Sequence, residues 1–281
     1  MRPTPRSALA ALALAAITAG LAACGGNDNN SSSSTTASSK AGTGAKSGTI
    51  ALLLPETKTT RYELHDRPTF TAKVQQLCPD CKINYANANQ DPARQQQQAE
   101  AALTNGAKVL VLDPVDSQSA AAIADKAKAQ GVPVIAYDRL ILNSDGVNYY
   151  ISFDNQRVGQ LQAQNLVDHL NALNKPNPSI VMINGSPTDN NAKLFKQGAH
   201  SVFDPLVAQK KLTIAKEYDT PDWSPDQAQN EMQQALTALS NKVDVPATSV
   251  LMPMTWPSRS TSGPPELPGL IGASVWTTSN R

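Results

Sequence analysis

Four short runs of apolar residues punctuate the chain, at Thr49–Leu54, Lys108–Leu112, Val132–Ala136 and Ile180–Asn184. Their length and near-continuous hydrophobicity are what strands buried on both faces of a parallel sheet require. A further short strand is expected at Lys82–Ala86. Between the runs the apolar period becomes that of a helix. Ala120, Ile123, Ala124 and Ala127 share one helical face with Gly131 as a stop, and Met232, Ala235, Leu236 and Leu239 repeat the i, i+3, i+4, i+7 spacing. Tyr62–Leu77, Pro92–Asn105 and Asn155–Leu173 are further expected helices. Alternation of this kind predicts right-handed βαβ units and an α/β fold with a doubly wound parallel sheet.

The residues that follow each strand are polar. Leu54 runs into Pro55-Glu56, Leu112 into Asp113-Pro114, Ala136 into Tyr137-Asp138-Arg139, and Asn184 into Gly185-Ser186-Pro187. They gather at the carboxyl edge of the sheet, where open α/β folds bind ligands. Glu56 and Asp113 read as solvated turns. Asp138 beside Arg139 is more telling, because a carboxylate and a guanidinium fork accept from and donate to neighbouring hydroxyls. A plain surface ion pair is the alternative.

Composition narrows the classes. The 281 residues carry a net charge of +1, with 40% hydrophobic, 17% charged and 5% aromatic residues. That length accommodates one large domain or two lobes of about 100–150 residues each. A near-neutral balance without basic runs argues against nucleic acid. Low aromatic content suits a helix-rich protein better than a lectin-like sandwich. No enzyme is expected: there is no Gly-x-Gly-x-x-Gly after the first strand, no phosphate loop, no Gly-x-Ser-x-Gly and no His-Glu-x-x-His. A glycosidase would need opposed carboxylates, and the candidates Asp138 and Asp189 both adjoin partners that hold them ionised. No cofactor or metal is expected, since His65, His169 and His200 are isolated.

The first 24 residues read as an export signal. Arg2 and Arg6 precede an apolar stretch from Ala8 to Leu21, closed by Leu21-Ala22-Ala23-Cys24. This resembles the lipobox of bacterial lipoproteins, which implies acylation of Cys24 and a lipid-anchored, extracytoplasmic location at the cell membrane. No stretch in the mature region is long enough to span a bilayer. Residues 25–48 are Gly, Ser, Thr, Asn and Ala with almost nothing to bury, and read as a disordered tether. Of the remaining cysteines, Cys78 and Cys81 form a Cys-Pro-Asp-Cys motif after an expected helix. A thiol-redox pair is activated at a helix N-terminus. This one stands at the other end, so a structural disulfide is favoured over an oxidoreductase.

Three blocks carry a resemblance: Val134-Ile135-Ala136-Tyr137-Asp138-Arg139; Tyr150-Ile151-Ser152-Phe153-Asp154-Asn155 with Val158-Gly159; and Gly185-Ser186-Pro187 through Asp189-Asn190-Asn191-Ala192-Lys193-Leu194-Phe195. They resemble the xylose-binding members of the ribose/galactose-binding-protein superfamily, periplasmic components of ABC sugar importers, over Thr49–Asp244. The resemblance implies a two-lobed type I periplasmic-binding-protein fold with Rossmann-like lobes, expected at residues 49–145 and 146–244. It also implies hinge closure over a monosaccharide, a pentose being favoured, delivery to an ABC permease, and a monomer. Sugar sensing for a chemoreceptor or kinase is the alternative use of the same fold. The implied sugar residues are Arg61, Tyr62 (where the xylose binders have Trp), Asp138, Arg139, Asp189, Asn190, Asn191 and Trp223. A pyranose suits such a set, since its C–H faces lie on aromatic rings and its hydroxyls meet Asp, Asn and Arg.

Past Asp244 the resemblance ends. Pro246, Pro253, Pro257, Pro264, Pro265 and Pro268 interrupt residues 245–281, which show neither helical nor strand period and are expected to be disordered. The family's second lobe continues there, so its C-terminal part is expected to be incomplete. Codons for Met252–Pro257 read in a neighbouring frame give Ala, one of Asn, Asp, His or Tyr, then Asp, one of Leu, Met or Val, then Ala. The family carries such a string at a pocket strand end, which implies a frameshift near Asp244, with a truncated paralogue as the alternative.

Overall fold

A computed structural model describes residues 47–248 apart from residue 173, with side chains described as far as residue 244. The signal segment, most of the expected tether, and Cys24 lie outside the described residues.

The first lobe is a parallel sheet wrapped by helices. Strand β1 (Ser47–Leu54) leads through a π-helical turn at Tyr62–Asp66 into α1 (Arg67–Leu77). Then come β2 (Asp80–Asn87), α2 (Pro92–Thr104), β3 (Val109–Leu112), α3 (Ala121–Ala129), β4 (Val134–Tyr137) and β5 (Val147–Ile151). The sheet order is β2-β1-β3-β4-β5, and every pairing is parallel. Alternate side chains of β1 point to opposite faces, as the period of a strand demands. Ala51 and Leu53 enter a core with Ala102, Leu103, Ile123 and Ala127, whereas Leu52 and Leu54 pack with Tyr62, Val111 and Phe70. Asp91 caps α2 by accepting from the N–H groups of Ala93 and Arg94.

The chain crosses at Ser152–Asp154 into a second lobe. This contains α4 (Asn155–Ala172), β6 (Ser179–Asn184), α5 (Asn190–Ala208), β7 (Thr213–Asp219), a 3₁₀ turn at Pro221–Trp223, α6 (Pro225–Ala238) and β8 (Val245–Thr248). The order β7-β6-β8, again parallel, repeats the β2-β1-β3 part of the first sheet. Ile180 and Met182 face α4 and α5 through Leu166, Leu170 and Phe203, and Val181 and Ile183 face α6 through Met232 and Ala235. Helices α4 and α5 touch backbone to backbone. A Cβ on Gly159 would stand 2.1 Å from the Phe195 carbonyl oxygen, and one on Gly198 would stand 2.1 Å from that of Gln156.

Three expectations are corrected. The lobe boundary at residue 145 is too early, because β5 pairs with β4 and belongs to the first sheet. The second lobe does not stop at Asp244, because residues 245–248 form β8 and pair with Ile180–Ile183. Pro246 is tolerated there because β8 is an edge strand among the described residues. Strand β1 starts at Ser47, two residues inside the expected tether. Cys78 and Cys81 are joined in a disulfide with Cα atoms 5.3 Å apart, Cys78 standing at the C-terminal end of α1. No helix among the described residues is long and apolar enough to cross a membrane.

Candidate functional site

The carboxyl ends of the two sheets face each other, and the polar residues that follow the strands meet between them. Asp138, next after β4, is held at φ 59°, a left-handed conformation that a non-glycine residue adopts only where its surroundings impose it. Its backbone N–H donates to the Ile151 carbonyl (2.8 Å). Its carboxylate accepts from the Tyr62 hydroxyl at 2.9 Å, pairs with Arg61, and accepts from Asn191 Nδ2 at 3.2 Å. Arg61 also pairs with Asp66 at 3.2 Å.

Arg139 is the largest fully buried side chain of the described residues, 2% exposed. Its guanidinium lies 3.1 Å from Asp189, 3.6 Å from Asp113 and 4.0 Å from Glu56, and donates to the Pro114 carbonyl at 3.3 Å. Burial opposes its charge, but the surrounding Tyr62, Asp189, Asp113 and Asp138 outweigh that and hold the guanidinium above its usual range. Burial pushes Asp113 well above the ordinary carboxyl value, and the neighbouring Asp138 adds to the rise while Arg139 opposes it. Neither carboxyl oxygen of Asp113 has a hydrogen-bond partner, although the residue is fully buried. Burial likewise raises Tyr62, so its hydroxyl keeps the proton that it donates to Asp138.

The second lobe contributes the start of α5. Asp189 caps the helix by accepting from the Asn191 N–H at 2.8 Å. Burial raises its carboxyl above the usual value, partly offset by Arg139 and the Asn191 N–H. Asn191, buried, donates to the Asp138 carbonyl and carboxylate and accepts from Asn155 Nδ2 at 2.9 Å. Trp223 sits at φ 51° in the 3₁₀ turn, donates from Nε1 to Asp189 at 2.9 Å, and meets Phe195 edge to face at 6.5 Å between centroids. Its ring rests on Gly185, where a Cβ would approach it to 2.1 Å.

All eight residues nominated from the sequence therefore surround one locus, with qualifications at two of them. Tyr62 is 2% exposed, and its ring packs with Leu52, Leu54 and Val111, so it reaches the site through its hydroxyl rather than as an open stacking face. Asn190 is engaged through its backbone N–H, which donates to Ser117 Oγ. Glu56 and Asp113 are not solvated turns as expected; they are 1% and 0% exposed. Ser117, Asn155, Gly185 and Phe195 were not singled out as site residues. Asn155, Gly185 and Phe195 lie inside the blocks that carry the resemblance, whereas Ser117 has only its nearness to the end of β3 as a signal.

Among the described residues, Glu56, Asp113, Asp138 and Asp189 pair with two guanidiniums, those of Arg61 and Arg139. Such an acceptor-rich locus suits a neutral ligand with many hydroxyl donors and repels phosphates and acids.

Comparison with known proteins agrees in outline. Residues 50–252 match the model of the periplasmic binding protein domain. The match passes Asp244, in line with β8. The D-xylose-binding periplasmic protein of Escherichia coli is 36% identical over 205 residues, covering 73% of this chain and 59% of the relative. A multiple sugar-binding periplasmic receptor of Rhizobium radiobacter is 35% identical, covering 72% and 58%. An ABC transporter solute-binding protein of Clostridium phytofermentans, crystallised with β-D-glucose, superposes with a TM-score of 0.63 at 30% identity, covering 72% of this chain and 64% of that one. These relatives are named as binding proteins and receptors rather than enzymes. The chain spans under two thirds of the length of the curated relatives it matches.

Proposed function

Because the chain belongs to the periplasmic binding protein family, we propose that it is the lipid-anchored, extracytoplasmic sugar-binding component of an ABC importer, taking D-xylose or a related neutral monosaccharide. The observation that carries the reading is the convergence of Asp138 and Arg139 from one lobe with Asp189, Asn191 and Trp223 from the other on one acceptor-rich locus. A sugar entering there exchanges its hydroxyls for the contacts these side chains make with one another. The Trp223 ring is the aromatic surface on the second-lobe side. Rotation at Ser152–Asp154 opens and closes the lobes, and the closed form is what the permease meets. No bond is made or broken.

Calorimetric titration of the purified chain with D-xylose, D-glucose and D-glucose 6-phosphate tests the reading. Saturable heat with a neutral sugar and none with the phosphate supports it; silence with every neutral monosaccharide overturns it. Radiolabelled palmitate incorporated by the parent chain and lost in Cys24→Ala tests the anchor. The Rhizobium radiobacter relative is named a receptor, which favours sensing as the second reading. Accumulation of labelled xylose that depends on this chain separates transport from sensing.

A further inference from the structure

The loop between β3 and α3, residues 113–120, is pinned within its own lobe by Gln95 and by its own Asp116. Gln95, 1% exposed, donates from Nε2 to the Asp113 carbonyl and accepts from the Val115 N–H, both at 2.8 Å. The Asp116 carboxylate accepts from the N–H groups of Gln118 (2.9 Å) and Ser119 (2.6 Å). Ser117 is the exception. Its N–H donates at 2.9 Å to the carbonyl of Thr188, and its Oγ accepts at 3.1 Å from the N–H of Asn190, both in the other lobe. Its carbonyl accepts from the Leu142 N–H at 2.7 Å, three residues after Arg139. Ser117 is 2% exposed.

A rigid loop that presents one residue's donor and acceptor to the opposing backbone is preorganised, so little ordering entropy opposes the contact. The two bonds involve only Ser117 and the backbone of residues 188 and 190, and none of the side chains nominated for sugar. We propose that Ser117 is a positioning residue that latches the two lobes together, setting the lifetime of the closed form without choosing the sugar. This rests on the sugar-binding reading above, and it goes beyond it by separating retention from recognition.

The test compares the parent chain with Ser117→Ala. Hydrogen exchange without sugar is the first readout. Loss of Oγ frees the Asn190 N–H, whereas the Asn191 N–H keeps its acceptor, Asp189, within its own lobe. Exchange at Asn190 should rise about 2- to 10-fold while that at Asn191 stays unchanged. Stopped-flow dissociation of D-xylose and of D-glucose, read by tryptophan fluorescence, is the second. Both rates should rise by the same factor in that range. Unequal factors would place Ser117 against the sugar, and unchanged exchange would remove the latch; either overturns the proposal. If the parent binds neither sugar, the functional reading falls, and the exchange comparison still decides the latch. Asn190→Pro is the second variant, should Ser117→Ala fail to fold. Proline is tolerated at the first helical position and lacks the N–H; because it also removes the Asn190 carboxamide nominated for the sugar, this variant is read by exchange alone, and exchange at the Ser117 amide should rise.

Discussion

Arg139 and Asp189 belong to different lobes, yet their charged groups approach to 3.1 Å where each residue is only 2% exposed. Asp113 and Glu56 share the same guanidinium at 3.6 and 4.0 Å. One cation thus serves three carboxyls drawn from the ends of β1, β3 and the start of α5.

Arg139→Ala leaves those carboxyls facing one another without a counter-ion. Breaking a buried ion pair costs about 3–5 kcal/mol, so the urea midpoint should fall steeply and the heat of sugar titration should vanish. Arg139→Lys should recover only part of the stability, because an ammonium lacks the planar fork that addresses several carboxylates at once. An unchanged midpoint in Arg139→Ala would contradict the assigned role.

Gly185→Ala acts on the aromatic wall. The new Cβ would fall 2.1 Å from the Trp223 ring, which must then turn away from Asp189 and Phe195. Overpacking of this kind costs about 1–3 kcal/mol, so affinity should drop by roughly tenfold or more. In a Trp256→Phe, Trp276→Phe background, which leaves Trp223 as the one tryptophan, the emission maximum should shift in the sugar-free protein. An unshifted spectrum with unchanged affinity would show that the ring does not depend on this contact.

Asp113→Asn tests the buried carboxyl that lacks hydrogen-bond partners. Its value is raised on folding, chiefly by burial. The folded state therefore holds its proton more tightly than the unfolded chain, and stability falls as pH rises above the ordinary carboxyl value near 3.8. Asparagine removes that penalty. The variant's melting temperature should exceed the parent's by a margin that grows as pH rises above about 4. A margin independent of pH would mean that the parent's Asp113 does not titrate differently on folding.

The strands legible from sequence were those sealed on both faces. Leu53 and Leu112 in the first sheet and Ile180 and Met182 in the second are all nearly inaccessible, and they stood out as continuous apolar runs. The edge strands β5 and β7 were not foreseen. Tyr149 and Ile151 remain exposed, and Thr213, Lys216 and Glu217 break the run in β7, because an edge needs no second apolar cover. Strand β8 was masked by Pro246, a residue that an edge position accepts. Among site residues, the Asp138-Arg139 pair stood out by its chemistry at a strand end and the Asp189–Asn191 segment by its resemblance to a known pattern. Glu56 and Asp113 were misjudged because a carboxylate after a strand looks the same in sequence whether water or an arginine far along the chain completes it. Burial of a charge depends on partners distant along the chain, and local pattern does not report them.

The glycine contacts between α4 and α5 have a mechanical meaning. Helix α4 begins directly after the crossing at Ser152–Asp154 and runs 18 residues, about 27 Å. Gly159 and Gly198 lock it against α5, leaving no space in which the two could slide apart. The head of α5 carries Asp189 and Asn191 into the site. On the proposed rotation at Ser152–Asp154 the pair would act as a lever with its fulcrum at the crossing: a few degrees of backbone rotation there would reach the binding residues as a displacement of the whole rod, undiluted by side-chain compliance.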